Sequence, residues 1–465
     1  MIAIILVPIL GAVATLFFGR RYSHKISIMV AGLTLALSLL CILFAYLYGL
    51  GSLTFTANYV PSLNINFNLQ LTNITFILML MTTIVFFAAA LVGEYFIGNE
   101  DRIYNVIFLL AEGASLGVFL ASNLFLFYVF WEVAEVMMFF IIFVYGGYGK
   151  RYAAIKFIVY SLASSLLLLL AIMLLYVNVS PHTFDIQTII GSAASIPQNT
   201  QLIIMVLLLV AFMIKIPVFP FHSWLPDAHT EAPTTGSMIL AGVLLKFGGY
   251  GLILMFLLVP IALHYAEYMA LIFAFSAIYA GFVAFRQTNI KRLIAYTSIT
   301  DMGVAAIGIG AANILGTYGG VYAMLSHGLA ISVLFLVAGT LNHLYGTLEI
   351  SKIRGVITRF PSITYLFIIG SFAVVGIPLT AGFIGDILVF IGSYQTFGTI
   401  GLLPIAGIFI VGAALFWVIE RIFVNTVKPP TPYEELGSAV VYSGVFLLVA
   451  TIIFGLFPML FLGFH

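Results

Sequence analysis

One cysteine, Cys41, stands alone among the 465 residues, and only 7% of the chain is charged. The solitary thiol excludes an internal disulfide, a thiolate metal cage and an iron–sulfur cluster, all of which need several sulfurs. Any electron chemistry would belong to other chains. So little charge excludes a water-facing surface over most of the molecule, since soluble domains carry roughly 25% charged residues. The formal net charge is +1, with no long basic or acidic run. Neither a nucleic-acid partner nor a charged tail fits that pattern.

What the chain has instead is hydrophobicity, 63% of its residues. A bilayer core takes about 20 mostly apolar residues per helical crossing, and such runs recur with short polar breaks. They predict an all-α integral membrane protein of about fourteen spans, with no room for a soluble domain. The expected spans lie near 1–19, 26–49, 72–97, 103–120, 124–147, 153–177, 200–228, 233–258, 266–285, 292–311, 316–342, 362–395, 400–423 and 438–463. The apolar start from Met1 to Phe18 comes before Arg20 and Arg21, the reverse of a cleaved signal, and reads as a retained first span. Between the second and third spans, Leu63-Asn64-Ile65-Asn66-Phe67-Asn68-Leu69 alternates apolar and polar, which predicts a short extended segment outside the bilayer.

Basic residues test this map, because lysine and arginine collect in cytoplasmic loops. Arg20, Arg21, Lys25, Arg102, Lys150, Arg151, Arg286, Lys291, Arg292, Lys352, Arg354, Arg359, Arg421 and Lys428 all fall after odd-numbered spans and none after an even one. The remaining three are Lys156, Lys215 and Lys246. An even number of spans follows, with both termini outside and the positive loops in the cytoplasm.

Two spans are too long and carry internal prolines, at Lys215-Ile216-Pro217-Val218-Phe219-Pro220 in the seventh and Gly376-Ile377-Pro378-Leu379-Thr380 in the twelfth. Proline removes a helical hydrogen bond and clashes with the preceding turn, so both are expected to be broken helices. They lie five spans apart. Five is odd, so two copies of a five-helix unit, helices 4–8 and 9–13, would enter the membrane from opposite sides as inverted repeats, an architecture that places ion sites at broken helices near the midplane. The expected divisions are 1–102, 103–260, 261–424 and 425–465: the first three helices, the first repeat, the inverted second repeat and the fourteenth helix.

A charge at the centre of a span costs about 3 kcal/mol on insertion scales, so each retained charge is a site candidate. Glu132 and Glu135 are one turn apart on the fifth span. Lys215 precedes the first break, Lys246 lies within the eighth span, Asp301 and His327 sit on the tenth and eleventh, and Asp386 follows the second break. Lys156 is a further candidate. Desolvation weakens a buried lysine's hold on its proton and an adjacent carboxylate strengthens it, so such a set suits proton relay. Structural readings stand beside this one: ion pairs for Glu132, Lys215 and Lys246, a helix cap for Asp386, a satisfied core histidine for His327, and groups snorkelling near helix ends for Glu135, Asp301 and Lys156. His222, Asp227, His229 and Glu231 have no tight metal-ligand spacing and read as a polar connection.

At these residues the chain resembles the antiporter-like membrane subunits of respiratory complex I, membrane-bound hydrogenases and multisubunit cation/proton antiporters. The resemblance runs through Phe130-Trp131-Glu132, Lys215-Ile216-Pro217, Phe221-His222-Ser223-Trp224-Leu225-Pro226-Asp227-Ala228-His229, Ala232-Pro233, Gly236 to Gly242 and Leu244-Leu245-Lys246. It continues in Asn289 to Ser298 and in Ser326-His327-Gly328. It implies that Glu132 and Lys215 form a coupling pair, Lys246 the central relay, His327 a connecting group and Asp386 the last carrier. An acid at 386 and the lack of a long lateral extension resemble the M type of these subunits. Asp386 is one methylene shorter than the family's usual glutamate, and Asp301 stands where relatives carry histidine; a carboxylic acid also takes and gives protons.

The resemblance further implies a translocase subunit of a redox-driven NADH:quinone oxidoreductase-like complex in a prokaryotic plasma membrane, partnered by other membrane subunits, homologous ones included, and by lipid. No cofactor is expected in this chain; iron–sulfur clusters, flavin or quinone would belong to partners. A cation/proton antiporter subunit, with sodium at Glu132, Glu135 or Asp386, a membrane-bound hydrogenase subunit and a non-transporting scaffold are the alternatives.

Overall fold

The computed structural model describes residues 1–18, 20–60, 65–98, 101–424 and 435–462. The expectations that involve Leu63, Asn64 and Lys428 lie outside these. Each apolar run becomes a helix, because only a helix satisfies its own backbone in hydrocarbon. The crossings are α1 (Ile2–Phe17), α2 (Ser23–Tyr48), α3 (Asn73–Ile97), α4 (Arg102–Leu120), α5 (Leu124–Tyr145) and α6 (Lys150–Asn178). Then come α7a (Gln198–Lys215) with α7b (Trp224–Glu231), α8 (Thr234–Leu258), α9 (Ala266–Phe285), α10 (Ile290–Gly310) and α11 (Ile314–Tyr345). The last are α12a (Pro361–Val374) with α12b (Ala381–Phe397), α13 (Pro404–Val424) and α14 (Ser438–Leu456).

Thirteen of these helices are long and apolar enough to span a membrane alone; α1 is shorter and makes the fourteenth crossing, and α12a completes that of α12b. Polar caps mark several starts. Asp101 Oδ1 accepts from Tyr104 N, Asn123 Oδ1 from Phe125 N and Asn313 Oδ1 from Gly316 N at 2.7–2.9 Å, each satisfying an N–H that the helix leaves free. The expected extended segment is one strand of a hairpin, β1 (Thr54–Val60) against β2 (Ile65–Gln70), antiparallel with Phe55 opposite Leu69. Asn68 O accepts from Ser122 N at 3.1 Å, fastening the hairpin to the end of α4. A short helix, Ile186–Ser192, between α6 and α7a was not expected.

Both proline breaks are present, and side chains answer the backbone groups they free. At the first, Trp224 Nε1 donates to Ile214 O at 3.0 Å and Ser276 Oγ on α9 accepts from Phe219 N at 2.9 Å. At the second, Thr380 Oγ1 donates to Ile377 O at 2.7 Å. Irregular backbone at membrane depth survives only when protein or water satisfies it. Each broken helix is followed by one containing a π-helical turn, Leu240–Leu244 in α8 and Ile419–Val424 in α13. The same pair of irregularities thus recurs five crossings later, in the opposite sense.

Burial separates centre from rim. The apolar window of α11 is buried throughout and that of α8 almost throughout, whereas those of α2, α5 and α6 are buried over well under half. The two central helices cross with backbones touching: a Cβ on Gly328 would lie 2.8 Å from Gly242 O. Small residues allow such approach where the hydrophobic effect gives no drive between helices.

Candidate proton-relay site

The crossing at Gly242 and Gly328 sets Lys246 of α8 beside His327 of α11. Lys246 Nζ lies 2.6 Å from His327 Nδ1 and donates to Ala241 O, also at 2.6 Å. That carbonyl is five residues back, inside the π turn, where bonding shifts to wider spacing and carbonyls are displaced from the regular ladder. When Lys246 carries its proton the ammonium only donates, so Nδ1 then accepts and the ring N–H is Nε2. Lys246 is fully buried, and His327 is 3% exposed.

His327 also lines a cavity of about 10 Å³ with Ser326, Ala323, Val304, Asp301, Asp386, Gly382, Val374 and Ile408. That is room for roughly one water molecule. Beside the cavity α12b meets α11 through glycine: a Cβ on Gly385 would sit 2.6 Å from Ala323 N. Asp386 is not a helix cap. Thr380 occupies the N-cap of α12b, and Asp386 Oδ2 packs on Gly376, whose φ of +75° is one that only glycine adopts freely.

The first half holds a second buried pair, and here the structure corrects the implied coupling. Lys215 Nζ lies 2.6 Å from Glu135 Oε1, both side chains 1% exposed; Glu132 is not its partner. Ser165 Oγ donates to Glu135 Oε2 at 3.3 Å. Glu132 is only partly buried, and its Oε1 has no hydrogen-bond partner. The rings of Trp131, Phe157 and Phe247 surround the Lys215 ammonium at 5.5–5.9 Å. Phe247 therefore stands between the environments of Lys215 and Lys246. α7a closes on α8 at Gly248, where a Cβ would lie 3.0 Å from Lys215 Cβ.

Lys156 does not join either pair. It forms an ion pair with Asp227 at 2.8 Å, and Arg292 NH1 reaches the same carboxylate at 3.1 Å. Glu231 Oε2 accepts from Gly149 N at 2.7 Å, His229 stacks on Phe335 at 4.3 Å and the His222 ring meets Tyr279 edge-on at 5.3 Å, so the four polar residues between α7a and α8 go to separate partners. Lys291, expected in a positive loop, is 4% exposed and donates to Ala232 O at 2.7 Å, closing the turn between α7b and α8. Sequence reading missed Glu112, a fully buried acid on α4; the insertion-cost rule applied to Ala111-Glu112-Gly113 would have found it.

Broken helices around buried lysines, carboxylates and histidine define a multi-pass membrane protein of the antiporter-like class. Residues 121–411 match the family model described as NADH:quinone oxidoreductase/Mrp antiporter, TM. Among curated relatives, NADH-quinone oxidoreductase subunit M of Rickettsia prowazekii is 35% identical, covering 95% of this chain and 92% of its own length. NADH-ubiquinone oxidoreductase chain 4 of Arabidopsis thaliana is 32% identical over 99% and 94%. Among solved structures, a chain of respiratory complex I from Thermus thermophilus superposes with TM-score 0.90 at 28% identity, covering 98% of this chain and 95% of that one. A chain of the Mrp complex from Dietzia matches with TM-score 0.89 at 18% identity over 99% and 95%, a likeness of fold. The chain belongs to the NADH:quinone oxidoreductase/Mrp antiporter membrane-subunit family, and its similarity to subunit M and chain 4 agrees with the M-type resemblance.

Proposed function

We propose that this chain translocates protons as the M-type membrane subunit of a redox-driven, complex I-like NADH:quinone oxidoreductase, along the buried groups Lys215, Lys246 and His327 and the partly buried Asp301 and Asp386. The observation that carries the reading is the contact of Lys246 with His327 beside a cavity shared by two aspartates. At 2.6 Å, Glu135 is the counter-charge of the Lys215 ammonium. If that carboxylate turns away, an unpaired ammonium is left among aromatic rings, and giving up the proton relieves the cost. Lys246 can receive it and pass one through the imidazole, whose two nitrogens take and give protons at different positions. Asp301 and Asp386 take the proton onward from the cavity, and Glu132, one turn from Glu135, is the alternative carboxylate for Lys215.

The chain itself holds no redox group in this reading; iron–sulfur clusters, flavin and quinone belong to partner subunits, among them homologous antiporter-like ones. The relatives' names and the identity to the complex I chain support this over a cation antiporter. Residues 1–102, 103–260, 261–424 and 425–465 are the working divisions, with 103–260 and 261–424 as inverted repeats. Both termini lie outside a prokaryotic plasma membrane and the positive loops inside it.

The test is proton uptake by vesicles holding the whole complex, wild type against Lys246→Ala, with electron transfer followed in the same samples. Loss of uptake with the complex assembled supports the relay; unchanged uptake leaves this chain a scaffold.

A further inference from the structure

Glu112 has no structural employment. It is fully buried, neither carboxyl oxygen has a hydrogen-bond partner, and Ser115, one turn along and equally buried, has an unpartnered hydroxyl. A buried polar group without a partner is destabilising, and a leucine would pack the same space at no such cost. An acid retained inside a span is by default functional.

Its surroundings point to the function. Along α4, Asp101, Tyr104, Phe108, Glu112, Ser115 and Phe119 fall within an arc of about 80° at the helical repeat. Contacts at its two ends bring that stripe against α8, while Phe108 between them packs on Phe86 of α3 at 5.3 Å. At the Arg102 end, Tyr145 Oη donates to Asp101 Oδ1 at 2.8 Å and Tyr104 Oη donates to Thr235 Oγ1 of α8. At the other end, the Phe119 ring lies 5.4 Å from Phe247 and 5.9 Å from Tyr250 of α8. The two helices run parallel, and the pairs 104 with 235 and 119 with 250 share one offset. That offset puts Ser115 level with Lys246 and Glu112 one turn nearer the positively charged end. The stripe from Tyr104 to Ser115 is about 16 Å long, half of a hydrocarbon core of about 30 Å.

We propose that Glu112 is a proton-carrying group in an uptake column along the α4–α8 seam, running from Asp101, Tyr104 and Thr235 toward Lys246. The proposal rests on the relay reading above and adds the route by which that relay is filled. Each transfer moves one proton and no electron. The Glu112 O–H bond breaks as a bond to hydrogen forms on the next acceptor toward Lys246, and the carboxylate is reprotonated from the Tyr104–Thr235 end. Water bridges the intervals that the hydroxyls do not span.

The experiment uses the whole complex in vesicles, comparing Glu112→Leu, Glu112→Gln and Lys246→Ala for proton uptake and electron transfer. The expected result is loss of uptake in both Glu112 variants, to the level of the lysine variant, with electron transfer retained. Wild-type uptake in the Glu112 variants, with loss in Lys246→Ala, overturns the column and leaves the relay standing; wild-type uptake in Lys246→Ala overturns the relay itself. Should the leucine variant fail to assemble, the glutamine variant, alike in size, decides. A structural role is separated by infrared difference spectra: wild type shows a carboxyl C=O band that changes on turnover and vanishes in Glu112→Gln. Absence of any such band overturns the proposal.

Discussion

Glu132 and Glu135 are one turn apart on α5, so either could meet a lysine arriving from the same side. The lysine meets Glu135, where α6 adds the Ser165 hydroxyl, while Glu132 stays only partly buried with one oxygen unpartnered. Removing one partner of a buried pair leaves a bare charge and costs about 3–5 kcal/mol. Glu135→Gln is therefore expected to lower the melting temperature of the purified complex clearly, and Glu132→Gln to leave it nearly unchanged. The reverse order would mean that Lys215 lives mainly on Glu132. Replacing both members, Lys215→Met with Glu135→Leu, should restore the stability lost in Glu135→Gln while proton uptake stays abolished, since packed apolar side chains replace the pair without its protons. The sequence singled out eight ionisable residues and not Glu112, although the insertion-cost rule covers that acid as well; its lack of a partner shows only in the structure.

At the scale of helices, the site depends on irregularities. The π turn of α8 presents Ala241 O to Lys246. Deleting Val243 would restore a regular α-helix and swing Lys246 by about 100° relative to the start of α8; uptake is expected to fail even where the complex assembles, checked by native electrophoresis beside vesicle assays. Gly376 holds φ at +75° under the Asp386 carboxylate. Gly376→Ala adds a strain of about 1–2 kcal/mol for a left-handed residue and pushes Asp386 off its seat, so a lowered melting temperature and reduced uptake should appear together. Proline signalled both breaks in the sequence. The π turns left no such mark, because they arise from packing against neighbouring helices, not from any residue that forbids regular helix.

For the whole molecule, orientation is the testable quantity. With Cys41 replaced by serine, single cysteines at Tyr148, after α5, and Ser195, before α7a, stand at exposed positions on opposite sides of the expected topology. A membrane-impermeant thiol reagent added to intact cells is expected to label Ser195→Cys and not Tyr148→Cys; labelling of the latter alone would invert the topology. The sequence by itself determined that the chain crosses a membrane, where its helices lie and which are broken, and it predicts on which side the positive loops collect. Apolar length, proline and charge bias act on neighbouring residues, so the linear order records them. Only the tertiary structure decided that Lys215 takes Glu135, that Lys246 touches His327 eighty-one residues away, that Lys291 is buried and that Glu112 is left without a partner. Those outcomes depend on which helices approach and how closely glycine lets their backbones come, distances that no local pattern encodes.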